Sequence, residues 1–274
     1  MRITGDELRK VQLIQLRILK ELRRICVKHN IKYFLSDGTL IGAVRHHGFI
    51  PWDDDLDVGM LREEYERFCR VCKDELSVDY FLQNMDTDPG YAAPYAKLML
   101  NGTEWIEHIH VKCEKRNGIN IDIFPYDCIP FNRIKQIYHR RAFTVLNDAL
   151  RIKKGYVCKI RVTAKKFLIV LILTHLFSYK LLSKLFNKTL VKYNYLSKTD
   201  NCIVTKFGGS YYRNQNPRKA FLNLTLVEFE DSLFYISNDF DDILKNLYGD
   251  YMTIPPEAER LYHDIVSYKL PDEK

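Results

Sequence analysis

Residues 53–57 read Asp-Asp-Asp-Leu-Asp, four carboxylates in five positions, between Trp52 and the apolar run Leu56–Met60. Like charges this close repel, and they are costly on a core-facing strand without a compensating cation. On extended backbone side chains alternate, so Asp53, Asp55 and Asp57 share one face and Asp54 points the other way. Alternate positions lie about 6–7 Å apart, which lets two carboxylates share a small hard cation. A divalent cation there relieves the repulsion and neutralises phosphate oxygens in a displacement reaction. The competing reading is a solvated acidic turn. Leu56 and Val58 weaken it, because they place the carboxylates at a strand edge.

The flanking pattern predicts how the acidic stretch is presented. Thr4 or Asp6 can cap a helix running to about His29, with a broad apolar face from Leu8 to Ile25. Ile31–Leu35 reads as a strand, Asp37-Gly38 as a turn, and Thr39–Val44 as a short helix opening at the glycine. Free N–H groups at a helix start, with a glycine allowing close approach, suit a phosphate. Leu56–Met60 is the next strand, followed by a helix carrying Tyr65, Phe68, Cys69 and Cys72. Tyr80–Gln83, Tyr95–Leu100 and Ile119–Phe124 are further strands, the last ending at Pro125. Asp122 sits on that apolar strand as a third carboxylate and calls for a metal or a basic partner. Arg45, His46, His47 and Lys97 are candidates for binding phosphates or a polar acceptor. Residues 131–195 read as mostly helical, then Leu226–Phe229 as a strand and Asp239–Tyr248 as a helix. Interleaved helices and short strands give an α/β (α+β) fold.

Charge is unevenly spread. The 274 residues carry a net +7, but residues 131–206 hold 17 Lys+Arg against Asp148 and Asp200, a net of +15. That segment suggests an anionic partner. Its apolar run Phe167–Phe177 is too short to span a bilayer, which takes about 20 residues. Flanked by Lys165, Lys166, Lys180 and Lys184, it is either a buried helix hairpin or a helix lying in a membrane interface. The start MRITGDELRKVQ has no apolar stretch after its basic residues, which argues against a secretory signal. Seven scattered cysteines do not form a disulfide framework, so a reducing cytoplasm is expected. Cys69-x-x-Cys72 lies in a helical pattern with no second pair at zinc spacing, and reads as core packing. No Walker A, G-x-G-x-x-G, G-x-S-x-G or H-E-x-x-H pattern is present.

The stretch Ser36-Asp-Gly-Thr-Leu-Ile-Gly-Ala-Val-Arg-His46 with Gly48-Phe-Ile-Pro-Trp-Asp-Asp-Asp-Leu-Asp-Val58 closely resembles the LicD family of phosphocholine transferases, relatives of fukutin and fukutin-related protein. Asn120-Ile-Asp-Ile-Phe-Pro125 resembles the family's third-carboxylate strand. Leu247-Tyr-Gly-Asp-Tyr-Met252 followed by Pro255-Pro256 resembles its C-terminal signature. The basic helical part matches no family motif.

The resemblance implies a nucleotidyltransferase-like core with a small mixed sheet, placed at residues 1–130; the charge and helical pattern mark 131–206 as a basic helical elaboration, and 207–274 is expected to pack on the core. It implies magnesium or manganese held by Asp55 and Asp57 with Asp122, and Asp53 as a further ligand. Gly38, Thr39, Arg45, His46 and Lys97 are the expected substrate-binding residues. The implied reaction moves phosphocholine from CDP-choline to a hydroxyl of a cell-surface glycan, such as a teichoic acid or lipopolysaccharide precursor, and releases CMP. A related CDP-alcohol donor, nucleotidyl transfer by the same fold and a non-catalytic membrane-binding module are the alternatives. Nucleic acid is the less expected partner. A lipid-linked acceptor implies a cytoplasmic protein peripheral to the inner membrane face. No aromatic cage for a quaternary ammonium can be assigned from the sequence, although the 18 tyrosines, Trp52 and Trp105 supply candidates.

Overall fold

A computed structural model describes residues 1–157, 164–199, 202–207, 211–260 and 262–271. Cys158 and the side chain of Lys165 lie outside the described residues. Helix α1 (Gly5–Lys28) starts after Thr4, with Asp6 and Glu7 in its first turn and Lys28 in its last, as the helix dipole favours. Its apolar stripe, including Leu8, Val11, Leu19, Leu22 and Ile25, is buried in the main core. Strand β1 (Phe34–Leu35), helix α2 (Asp37–His46), strand β2 (Asp57–Leu61) and helix α3 (Arg62–Glu75) follow. Strands β3 (Tyr80–Gln83), β4 (Ala96–Leu100), β5 (Glu104–Glu107) and β6 (Asn120–Ile129) come next. The basic segment holds helices α4 (Arg133–Lys153), α5 (Ala164–Leu176) and α6 (Tyr179–Leu190), then strand β7 (Ile203–Lys206). Strands β8 (Asn216–Pro217), β9 (Leu224–Phe229) and β10 (Ser232–Ser237), helix α7 (Phe240–Tyr248) and strand β11 (Ile265–Lys269) complete the described elements.

The main sheet is mixed, in the order β1-β2-β6-β4-β3, with β7 beside the far half of β6 and β8 beside β7. Among the described strands only β2 and β6 run parallel, and their register sets Asp57 opposite Asp122. Two separate hairpin-like pairs, β9 with β10 and β5 with β11, flank it. The helices α4–α6 build a second core around Phe186, Leu182 and Leu150, which also takes in Ala92 and Ile129.

Several boundaries differ from the sequence reading. β1 is two residues long rather than five, with only Phe34 and Leu35 paired, to Gly59 and Val58. The Phe34 ring lies across Gly59, where an added Cβ would come within 2.2 Å of it. Asp37 and Gly38 belong to α2 instead of preceding it as a turn. Residues 53–56 approach β2 without joining it, so Asp53 and Asp55 are not on a strand. Pro125 does not end β6. Residues up to Ile123 pair with β4 and those from Tyr126 pair with β7. Pro125 falls in the gap between those antiparallel partners, where a missing N–H removes no ladder bond on that side. The sequence reading missed β5, β7, β8, β10 and β11.

The cysteine reading is corrected at one place. The β6–β7 pairing brings Cys128 and Cys202 to a Cα separation of 6.4 Å, and their sulfurs are joined. Cys69 and Cys72 pack where α3 faces the core, and burial pushes the Cys69 thiol up to about 11. The apolar run is divided between both expectations. Val170 and Thr174 of α5 are buried, while Phe167, Leu168, Ile169, Ile172 and Leu176 are exposed.

Arg62 clamps the end of the parallel pair. Its Nε donates to Asp127 Oδ1 at 2.8 Å, and Asn194 donates to the same oxygen at 2.7 Å. The Asp127 side chain is fully buried. Removing one partner of a buried pair leaves an uncompensated charge, at a cost of about 3–5 kcal/mol. Arg62→Leu should lower unfolding stability by about that amount in urea titrations, and the double variant Arg62→Leu/Asp127→Leu should recover part of the loss.

Candidate active site

The acidic stretch is held by its backbone. Gln12 of α1 donates from Nε2 to the carbonyl of Asp53 at 3.0 Å, and Gln15 to that of Asp54 at 2.9 Å. Gln15 also reaches the Asn120 carbonyl at 3.3 Å, linking this stretch to the start of β6. Both glutamines are buried on the core side of the helix. At the next step Thr39 Oγ1 accepts from the Asp57 N–H at 2.8 Å, and Asp57 O accepts from the Ser36 N–H at 3.1 Å. The first turn of α2 is thereby fixed against the first residue of β2. That turn carries no side-chain cap from Ser36, so its leading N–H groups stay available beside the carboxylates.

Each acidic side chain has a distinct setting. Burial, followed by the Asp55 charge, raises Asp53 well above the usual carboxylate range. Burial also raises Asp55, while nearby His263 opposes the shift. The Asp55 side chain is 38% exposed and lines the cleft. Asp57 is buried, and burial with the Asp55 charge raises it while Lys206 pulls it down. Asp54 is directed elsewhere, accepting from His263 Nδ1 at 2.7 Å. That bond pushes the His263 imidazole up to about 10 against the effect of burial, and Asp55 adds to the shift.

Two buried lysines complete the charge pattern. Lys97 on β4 donates from Nζ to Asp122 Oδ1 at 2.6 Å and to Asn120 Oδ1 at 3.0 Å. Lys206 at the end of β7 is paired with Asp37 and lies over the Phe124 ring at 4.1 Å. Burial is the largest influence and opposes both ammonium charges, but the acidic groups around each, led by Asp122 for Lys97 and by Asp37 for Lys206, together raise the pKa. Asp122 therefore has the basic partner that its position on an apolar strand demanded, and Lys97 is engaged with it. Among the described residues, no three His, Cys, Asp or Glu side chains form a ready-made metal cage.

A cleft of about 680 Å³ opens onto Gly38, Arg45, Asp53, Asp55 and Asp57 on one side and onto the 248–263 segment on the other. Arg45 donates to the Tyr251 carbonyl at 2.6 Å and from Nε to His46 Nε2 at 3.0 Å. Burial and the Arg45 charge hold His46 below its ordinary pKa. Asp37, Lys206, His263 and the glutamine pins escaped the sequence reading. Asp37 was visible only as half of a turn, Lys206 was lost among many basic residues, and nothing local marked His263.

The LicD/FKTN/FKRP nucleotidyltransferase domain matches residues 30–154, which span β1 to α4 and hold every carboxylate named above. Over 265 residues the chain is 34% identical to the lipopolysaccharide cholinephosphotransferase LicD of Haemophilus influenzae, covering 94% of this chain and 96% of that protein. The chain belongs to the LicD family. The human ribitol 5-phosphate transferase FKRP is more distant, 42% identical over 53 residues that make up 18% of this chain and 11% of that protein. The mouse FKRP match is the same. As a LicD homologue over nearly its full length, the protein is an enzyme of the transferase class, with the α/β nucleotidyltransferase-type core described above.

The close approach at Gly38 gives a direct test of the LicD-family site. A Cβ there would lie 2.7 Å from Asp53 Oδ2, so Gly38→Ala moves the carboxylate rather than the backbone. Misplacing a positioned group by about 1 Å can cost about a hundredfold in rate. Gly38→Ala should retain its thermal unfolding midpoint within a few degrees and lose about that factor in transferase turnover. Unchanged turnover would show that the Asp53 position is immaterial.

Proposed function

We propose that this LicD-family enzyme transfers phosphocholine from CDP-choline to a hydroxyl of a cell-surface glycan precursor, of the lipopolysaccharide or teichoic acid kind, and releases CMP. The observation that carries this reading is the cluster of Asp53, Asp55 and Asp57 beside the uncapped first turn of α2, in one cleft. Its near full-length likeness to a lipopolysaccharide cholinephosphotransferase supports the choice of donor and acceptor.

The donor chemistry suits a hard divalent cation such as magnesium or manganese, although no three of the described side chains are already gathered into a cage. The donors are carboxylate oxygens alone, and Asp53 and Asp57 are raised by burial and by the neighbouring Asp55 charge, a repulsion that a cation relieves. Asp53, Asp55 and Asp57 would hold it, with Asp122 close by on the next strand. When bound, such an ion neutralises charge on the donor diphosphate. The α2 amides at Gly38 and Thr39 hold phosphate oxygens at the positive end of the helix. Arg45 offers a cation at the cleft wall. Asp122 has one oxygen fixed by Lys97, which leaves the other to orient the acceptor hydroxyl. The acceptor oxygen bonds to the phosphorus bearing choline, the bond to CMP breaks, and the hydroxyl proton is lost to a site carboxylate or water. Positioning and charge stabilisation supply the rate. FKRP is a ribitol 5-phosphate transferase, so a different phospho-alcohol is the second reading.

Asp55→Asn and Asp57→Asn should each reduce turnover by at least about a hundredfold with folding retained. EDTA should abolish activity, and magnesium or manganese should restore it. A mass-detected screen of CDP-choline, CDP-ribitol and CDP-glycerol checks the donor. Full activity of either variant, or activity indifferent to EDTA, would remove the metal reading.

The acceptor side of this reading places the enzyme at a membrane surface. No described helix is long and apolar enough to cross a bilayer. The outer faces of α5 and α6 nevertheless expose Phe167, Leu168, Ile172, Leu176, Leu181 and Leu185. Lys180, Lys184 and Lys188 are exposed on α6 among them, in the segment of net charge +15. An apolar face with interleaved lysines matches an anionic interface, where each basic residue contributes about 1 kcal/mol and salt screens it. The protein should bind phosphatidylglycerol vesicles at low salt and release them as salt rises. Lys180→Glu/Lys184→Glu/Lys188→Glu should weaken that binding and turnover on a lipid-linked acceptor, while turnover on a soluble acceptor survives. A wild-type protein that ignores such vesicles at low salt would overturn the idea.

A further inference from the structure

The cleft holds a cation-binding surface that the phosphate chemistry does not use. The Trp52 indole lines the same cleft as Asp53, Asp55 and Asp57. The guanidinium of Arg260 lies over the indole ring, 4.0 Å from its centroid. Apart from this contact, Arg260 makes a long hydrogen bond of 3.4 Å to the Pro255 carbonyl, and among the described residues it has no carboxylate partner. Tyr248 also lines the cleft, but among the described residues no cation lies over its ring, and the remaining aromatic groups are engaged elsewhere. His46 meets Trp52 edge-on with centroids 6.3 Å apart. Arg2 covers the ring of Tyr262 at 3.7 Å, and the Tyr251 hydroxyl donates to Asp241 at 2.8 Å. Trp52 is thus the aromatic face at the carboxylates that is held by a displaceable cation.

We propose that the indole of Trp52 is the recognition surface for the trimethylammonium group of the donor, a place that Arg260 fills in the free enzyme. Tryptophan presents the most favourable ring face for a cation, and a quaternary ammonium, which cannot donate hydrogen bonds, depends on such a face. In phosphocholine the nitrogen lies two carbons beyond the ester oxygen. With the phosphate at the carboxylates, the ammonium falls within reach of the adjacent residue. Asp250 and Glu259 line the same cleft and add negative potential there. An uncharged ribitol or glycerol tail gains nothing from this ring, so Trp52 is a specificity-determining residue for the donor. This inference rests on the CDP-choline reading of the site.

The test compares donors on the full-length protein. Trp52→Leu should raise the KM for CDP-choline by about tenfold, with kcat within about twofold and the KM for CDP-glycerol unchanged. Trp52→Phe should lie between leucine and wild type. A binding measurement guards against misfolding of the leucine variant. The sequence has two tryptophans, so in Trp105→Phe the emission reports Trp52 alone. That emission should change on titration with CDP-choline, reverse with tetramethylammonium, and stay constant with CDP-glycerol. If the wild type uses only uncharged CDP-alcohols, the donor reading falls and the Trp52 assignment with it. If CDP-choline is the donor and leucine shifts both donors equally or neither, the Trp52 assignment alone is overturned.

Discussion

Mutual repulsion among Asp53, Asp55 and Asp57 is the constraint around which the rest of the molecule is arranged. Carboxylates gathered this closely push the chain apart unless something else fixes its path. Here the path is fixed by groups that carry no charge: Gln12, Gln15, Thr39 and the β2–β6 register. Neutral pins suit the purpose, since a cationic pin would satisfy the carboxylates and leave them with no affinity for anything else. The cations that do approach, Lys97, Lys206 and His263, are each tied to an outer acid, Asp122, Asp37 and Asp54 respectively. The inner acids keep their raised pKa values and remain available to a ligand.

This division also explains the architecture. Among the described strands, the one parallel pair is the one that sets Asp57 opposite Asp122. Helix α1 lies behind that pair, so its glutamines reach the approaching loop from the core side. β6 is long because it has two successive antiparallel partners, one supplying Lys97 and the other Lys206. A single strand thereby collects both buried lysines around the carboxylates.

Much of this was legible in the residues, for local reasons. The acidic stretch, the apolar strand around Asp122 and the helix opening near Gly38 each announce themselves through spacing and side-chain type. The interactions that complete the site are long-range and leave no local trace. Lys206 meets Asp37 across 169 positions and His263 meets Asp54 across 209. β5 and β11 are short, and each reads as a strand only beside the other. Pro125 was misread for the opposite reason. Its local rule is sound, but the tertiary setting places it where the rule has no force. The Cys128–Cys202 pair likewise depends on β7 joining the sheet, which a basic, mostly helical stretch did not suggest.

The β5–β11 pairing has a consequence for the order of assembly. Strand β11 begins two residues after His263 and seats that histidine against Asp54. During synthesis the acidic loop leaves the ribosome 209 residues before its partner, whereas a domain folds as a unit. For that interval the nascent chain carries the carboxylates without the histidine and without the far wall of the cleft. A half-made enzyme therefore has neither the donor pocket nor the charge balance of the finished one. The Asp54–His263 contact thus exists only once β11 has paired with β5, so completing this edge of the site is tied to a pairing across about 160 residues.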